Sequence, residues 1–267
     1  MKLSRFAALS SSLLLGAVLT LTGASQAQAE ESAALDYVAL GDSYSSGLGA
    51  GSYGDSGSCK RSSVAYPQLW ANANSPSSFA FTACSGARTG DVTGSQLGPV
   101  NSGTDLVSIT VGGNDAGFAD VMLTCVLQSE ASCVSRVNQA RGYVDTTLPG
   151  QLDSVYNAIS SRAPAAKVVV IGYPRFYQLN GSCVVGLTET ERSAINGAAD
   201  HLNSLLAKRA ADHGYGYADV TGPFTGHEIC SSNSWLHSVS VPNLGESYHP
   251  TAQGQSGGYL PAFSSAV

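Results

Sequence analysis

The stretch that decides the reading is Tyr37-Val38-Ala39-Leu40-Gly41-Asp42-Ser43-Tyr44-Ser45-Ser46-Gly47. Four apolar residues in a row, stopped by a glycine, read as a short strand buried on both faces, because a half-buried strand would alternate. The same pattern recurs along the chain. Leu106 to Val111 is rich in β-branched residues and stops at Gly112-Gly113, and Lys167 to Ile171 carries three consecutive valines. Ser78 to Ala83 and Gly216 to Val220 complete five strands. Helical patterns lie between them, over 65–73, 116–128 and 133–163, the last expected to break at Pro149-Gly150. A further helix opens at the capping box Thr188-Glu189-Thr190-Glu191 and puts Ile195, Ala198, Leu202, Leu205 and Leu206 on one face before stopping near Gly214. Residues 221–248 read as loop, and a final helix follows Pro250. Strands alternating with helices imply an α/β fold with a parallel sheet, whose ligands bind beyond the carboxyl ends of the strands.

Composition narrows the function classes. Of 267 residues 43% are hydrophobic and 12% charged, with a formal net charge of −6. The longest basic cluster is the dipeptide Lys60-Arg61; a nucleic-acid partner, which needs a basic stripe, is excluded. The first 29 residues have the form of a secretory signal: Lys2 and Arg5, the apolar run Leu13 to Leu21, then Ala27-Gln28-Ala29 as a cleavage site. That run is shorter than the 20 or so residues a membrane span requires, and no later segment is long enough, so no integral membrane segment is expected. Residues 30–267 then form a single domain of an extracellular, monomeric protein. All six cysteines, at 59, 84, 125, 133, 183 and 230, fall in it. An even count in an exported chain implies disulfides, with 15 connectivities open, and most of these cysteines lie between the expected elements, so the bridges should fix loops. No CxxC spacing and no His/Asp/Glu cluster suggests a metal, and no glycine-rich fingerprint suggests a dinucleotide; no cofactor is expected.

Polar residues gather at the strand ends. Gly41-Asp42-Ser43 follows the first strand, Cys84-Ser85-Gly86-Ala87 the second, Gly112-Gly113-Asn114-Asp115 the third, and Glu246-Ser247-Tyr248-His249-Pro250 stands near the carboxyl end. Converging on one rim, a hydroxyl, an open backbone turn, a carboxamide and an imidazole are what acyl transfer demands. A serine oxygen needs a base to take its proton, and the tetrahedral oxyanion needs donors already aimed at it.

This ordered set resembles the SGNH, or GDSL, hydrolase family over nearly the whole of residues 30–267, and is similar in detail to small secreted bacterial GDSL lipases and phospholipases A1 with three disulfides. The resemblance implies a flavodoxin-like three-layer α/β/α sandwich with a five-stranded parallel sheet. It implies Ser43 as nucleophile and His249 as general base. It also implies an oxyanion hole made by the backbone N–H groups of Ser43 and Gly86 and the side-chain amide of Asn114. Sequential disulfides, Cys59–Cys84, Cys125–Cys133 and Cys183–Cys230, are the favoured connectivity and also what that subgroup implies. One departure stands out. Most of the family has aspartate three residues before the histidine, and here the position is Glu246. Two acceptors for the His249 ring then stand open, the Glu246 carboxylate and a backbone carbonyl just upstream of the histidine, which resembles some secreted members; because glutamate is a methylene longer, the carbonyl of Ser247 is favoured.

The expected activity is hydrolysis of carboxylic esters, lipid acyl esters foremost and phospholipids among them. The alternatives are an acetyl-polysaccharide esterase of the same family and a non-catalytic exported binding protein. Leu48, Tyr53, Phe224, Ile229, Trp235 and Leu236, in the loops flanking Ser43 and His249, are candidates for an apolar rim suited to acyl chains. His227 and His237 lie in the same loop region, and His201 and His213 read as helix-surface residues. Gly254-Gln255-Ser256-Gly257-Gly258 mimics the G-x-S-x-G elbow, but no histidine follows it, so it reads as a flexible stretch of the last helix. No long apolar lid helix is apparent near the site, and little interfacial activation is expected.

Overall fold

Strand β1 (Asp36–Gly41) lies inside the sheet, flanked by β2 (Ser78–Phe81) and β3 (Leu106–Thr110); β4 (Lys167–Ile171) and β5 (Gly216–Ala218) follow outward from β3. The computed structural model describes residues 35–184, 186–240 and 243–267. Among these the sheet has five strands, all parallel, in the order β2-β1-β3-β4-β5. The export segment read over 1–29 lies outside the described residues.

The helices are α1 (Ser43–Ser46), α2 (Tyr66–Asn74), α3 (Thr89–Asp91), α4 (Phe118–Leu127), α5 (Glu130–Thr146), α6 (Leu148–Arg162), α7 (Glu189–Asp212), α8 (Thr221–Phe224), α9 (Ala252–Gly254) and α10 (Leu260–Ala266). β3 is buried along its whole length and β4 from Val168 onward, as continuous apolar strands require. One face of the sheet meets α2 and α10 through Tyr37, Tyr66, Trp70, Tyr259 and Phe263, whose rings stack or meet edge to face at 5.2–5.7 Å. The other meets α6 and α7 through residues such as Leu148, Leu152, Leu202 and Leu206. This is the expected three-layer α/β/α sandwich. Its strand order reverses between β1 and β3, and such a switch point opens a crevice at the carboxyl ends of the strands.

Several boundaries differ from the sequence reading. The long helix over 133–163 breaks at Thr147 rather than at Pro149-Gly150, because Pro149 sits in the first turn of α6, where a missing N–H costs nothing. β5 ends at Ala218, not Val220: the Asp219 carboxylate accepts from the Thr221 N–H at 2.8 Å and turns the chain into α8. Disulfides join Cys59 to Cys84, Cys125 to Cys133 and Cys183 to Cys230. The second does not staple a loop; it ties α4 to α5. Nor is Gly254–Gly258 flexible. A wide turn of π-helix spans Gln255–Tyr259, and a Cβ at Gly258 would stand 2.2 Å from the Phe224 ring, so glycine serves close packing there. Among the described residues no helix is long and apolar enough to cross a membrane.

Candidate active site

Ser43 opens α1 directly beyond β1. Gly41 makes the approach possible: its φ is +122°, and a Cβ there would meet the Thr110 carbonyl oxygen at 2.4 Å. The buried Gln96 side chain grips the same residue from both sides, accepting from its N–H at 2.7 Å and donating to its carbonyl at 2.9 Å. Asp42 caps α1, accepting the Tyr44 N–H at 3.0 Å. Its carboxylate also receives the Thr110 hydroxyl at 2.6 Å and the Tyr173 hydroxyl at 2.5 Å. Tyr173 in turn accepts the Gly113 N–H at 3.3 Å, so one buried network ties together the ends of β1, β3 and β4. Burial pushes the Asp42 carboxyl up to about 6 against these three donors, which leaves it largely ionised at neutral pH.

His249 comes from the opposite end of the chain. Its Nε2 lies 2.8 Å from the Ser43 Oγ, and its Nδ1 is 2.9 Å from the Ser247 carbonyl oxygen. The carbonyl can reach because Tyr248 adopts φ +67°, a left-handed conformation that a tyrosine takes only under constraint. The Tyr44 hydroxyl donates to the Tyr248 carbonyl at 2.8 Å, and backbone bonds pair His237 with Tyr248 and His249. The His237 ring nitrogen Nε2 donates to the Gly49 carbonyl at 2.8 Å, binding the two loops together. Glu246 faces elsewhere: its Oε1 receives the Tyr53 hydroxyl at 2.8 Å. Burial drives the His249 imidazole down to about 4, only partly offset by the Ser247 carbonyl. The resting ring is therefore neutral, with Nδ1–H directed at the carbonyl and Nε2 facing the serine.

The turns after β2 and β3 complete the rim. Asn114 donates from Nδ2 to the Ala87 carbonyl at 3.0 Å, leaving its second amide hydrogen free. The Asp115 carboxylate receives both the N–H and the hydroxyl of Thr89, the latter at 2.6 Å, locking the two turns together. Gly86 sits at φ +80° with open space where a Cβ would be. Among the described residues, neither the Ser43 nor the Gly86 N–H is engaged by an intramolecular acceptor.

A narrow cavity of about 70 Å³ opens beside Ser43 and Asn114. Its walls are apolar and come from α4, α5 and α7 and the segment after β4: Val121, Met122, Val144, Phe176, Ile195 and Leu202 among them. This corrects the expected apolar rim. Leu48, Phe224, Ile229 and Leu236 are buried in the core, Trp235 stacks on His227 at 3.6 Å, and Tyr53 is held by Glu246. His201 and His213 pair with Asp145 and Asp153, away from the site.

A model of the GDSL-like Lipase/Acylhydrolase family matches residues 39–256. The chain belongs to this family. It is a carboxylic ester hydrolase. Lipase 1 of Streptomyces coelicolor is 67% identical over 259 residues, covering 96% of each chain. The crystal structure of an extracellular lipase from Streptomyces rimosus covers 88% of this chain and all of its own, at 66% identity and a TM-score of 0.86. That of a phospholipase A1 from Streptomyces albidoflavus matches over the same shares at 67% identity and the same TM-score.

Within the family frame, sequence reading missed Asp42, Gln96, Asp115 and Tyr173 as the residues that brace the site. Tyr173 carried a usable signal, since it follows β4 by two residues and strand ends are where ligands bind.

Proposed function

We propose that this protein is a secreted serine esterase that cleaves lipid acyl esters, phospholipids included, through an acyl-enzyme on Ser43. The observation that carries the reading is the relay from the Ser43 hydroxyl to His249 Nε2 and from Nδ1–H to the Ser247 carbonyl. As Ser43 attacks the ester carbonyl, His249 takes its proton. Negative charge develops on the former carbonyl oxygen, to which the N–H groups of Ser43 and Gly86 and the Asn114 amide donate hydrogen bonds. The buried imidazolium, costly alone, now faces an oxyanion and a carbonyl dipole, and it delivers its proton to the departing alcohol. Water then repeats the cycle and frees the acid.

The acyl group belongs in the apolar cavity. A slot of about 70 Å³ walled by leucine, isoleucine, valine and aromatic side chains suits a linear alkyl chain and offers little to a sugar ring. That favours lipid over acetyl-polysaccharide, and the names borne by the Streptomyces relatives point the same way. Export is supported by the signal-like first 29 residues, the three disulfides and the extracellular relative. A fluorophosphonate probe should label the protein once and fail to label Ser43→Ala, which should also lose at least about 10⁴-fold in kcat. A ladder of p-nitrophenyl esters run beside acetylated xylan tests the substrate: activity on acetyl groups alone would replace the lipid reading.

A further inference from the structure

Helix α4 has more apolar surface than the fold uses. Val121, Met122 and Cys125 are buried, Val121 and Met122 lining the catalytic cavity. On its other side Leu123, Val126 and Leu127 stand in water, Leu127 with 70% of its surface exposed. Spaced i, i+3 and i+4, they form one stripe. Of its ten residues only Asp120 and Thr124 are polar, and a helix so largely apolar is ordinarily buried on most of its surface.

The stripe continues into a neighbouring groove of about 600 Å³ that Val126 lines together with Val184 and Val239, both exposed, and the buried Leu187 and Ile229. Tyr248, the residue before His249, forms part of its wall. The groove and the catalytic cavity therefore share α4, and Tyr248 brings the groove up to the histidine loop. Val126 and Val184 each follow a bridged cysteine, Cys125 and Cys183. Cross-links at the feet of exposed apolar segments restrain them from folding inward. The one basic residue in the groove, Arg192, is paired with Glu189 at 2.6 Å, and the chain's net charge is −6. Nothing in the patch attracts anionic headgroups.

We infer that the outer face of α4, with Val184 and Val239, is the surface by which this protein adsorbs to a zwitterionic or neutral lipid–water interface. The inference rests on the lipid-ester reading, which supplies the occupant: the substrate is itself part of such an interface, and the patch adjoins the cavity that receives it. Adsorption seats the apolar residues among acyl chains and sets the opening beside Ser43 at the level of the ester bonds.

The test is co-flotation of the full-length protein with phosphatidylcholine vesicles, in a Ser43→Ala background so that the vesicles survive. Leu123→Gln/Leu127→Gln, and separately Val184→Ser/Val239→Ser, should weaken adsorption at least about tenfold. In the active protein the same substitutions should slow hydrolysis of phosphatidylcholine vesicles and tributyrin emulsion while leaving kcat/KM on dissolved p-nitrophenyl butyrate unchanged. All four positions are exposed, and circular dichroism confirms that each variant is folded. Unchanged adsorption in both variants overturns the proposal. So does adsorption confined to anionic vesicles and abolished by salt, or a wild-type dimer that the substitutions dissociate, which would make the patch an interface between copies. If the protein adsorbs through this face yet hydrolyses only soluble esters, the surface stands and the lipid-ester reading alone fails.

Discussion

The two halves of the proposed hydrolytic pair are held by opposite means. Ser43 sits at the buried end of a central strand, fixed by Gly41 against β3, by the Gln96 clasp and by the charged cap Asp42 with its three donors. His249 rides on a loop, placed by a left-handed Tyr248, a few backbone bonds to another loop and a neutral carbonyl. Charge and sheet rigidity thus serve the proposed nucleophile and oxyanion donors, whereas the proposed base is positioned without a charged partner. Perturbing the strand-end side should cost the most, and removing the carboxylate nearest in sequence to the histidine should cost the least.

After Ser43 itself, the largest effect falls on the proposed oxyanion donors. Asn114→Ala removes an amide anchored to Ala87 and free to donate once more. It should lower kcat about 10²–10³-fold with KM nearly unchanged, because the bond is made only when the oxygen carries charge. Steady-state kinetics on a soluble ester decide it; a change confined to KM would mean that Asn114 shapes the cavity instead.

Tyr173→Phe tests the charged cap. The hydroxyl donates to a buried carboxylate, and losing a bond to a charged group costs about 1.5–3 kcal/mol. The sign with pH follows from Asp42, held up at about 6 in the fold. Below the ordinary carboxylate range it is neutral in folded and unfolded states alike. As pH rises through 6 the folded protein must bear the ionised group, and it is then that the missing donor is felt. Urea unfolding should therefore show a larger loss at pH 8 than at pH 5, accompanied by a fall in kcat of about tenfold from slackened positioning of Ser43.

The pH profile tests the other half. Burial lowers the His249 pKa to about 4, so kcat/KM should rise with pH through that region and be nearly complete at pH 5.5. A histidine titrating at its ordinary 6.5 would leave about a tenth of full activity there. The same lowering makes folding favour neutral His249: its contribution to stability is whole above the unfolded value near 6.5 and disappears as pH falls through 4.

What could be read from the chain divides along the same line. The strands were legible because β-branched apolar runs ending in glycine are a local signal, and the residues at their ends came with them. Ser43, Gly86 and Asn114 each stand within a few residues of a strand. The apolar cavity was not legible, because α4, α5 and α7 assemble it from positions more than 70 residues apart, such as Val121 and Ile195. Of the loop aromatics nearest the motifs in sequence, Phe224 and Trp235 instead pack against each other and the turn before the final helix, and Tyr53 is held by Glu246. The break at Thr147 and the early end of β5 were misread because a proline inside a first turn and an aspartate capping the next helix leave weak traces in sequence. Nor does the sequence show the left-handed backbone angle at Tyr248 that accompanies the Ser247 carbonyl at the imidazole.

That angle yields the smallest expected effect. With Tyr248 at φ +67° the Ser247 carbonyl points at Nδ1, and the Glu246 carboxylate is occupied by the Tyr53 hydroxyl, which itself accepts the Gly49 N–H at 2.8 Å. Glu246→Gln keeps an oxygen for Tyr53 and removes only a charge that the ring does not touch. It should lower kcat less than tenfold, against the roughly 10⁴-fold loss that follows when a charged orienter is neutralised in a Ser-His-Asp triad. A loss near 10³-fold on a soluble ester would mean that the carboxylate swings onto His249 during turnover, giving the loop side its own charged partner and erasing the contrast. A loss of only a few-fold, with the acid limb of the pH profile still near 4, would mean that a main-chain carbonyl suffices to hold the tautomer, since a carboxylate at Nδ1 would raise the imidazole pKa when present and release it when neutralised.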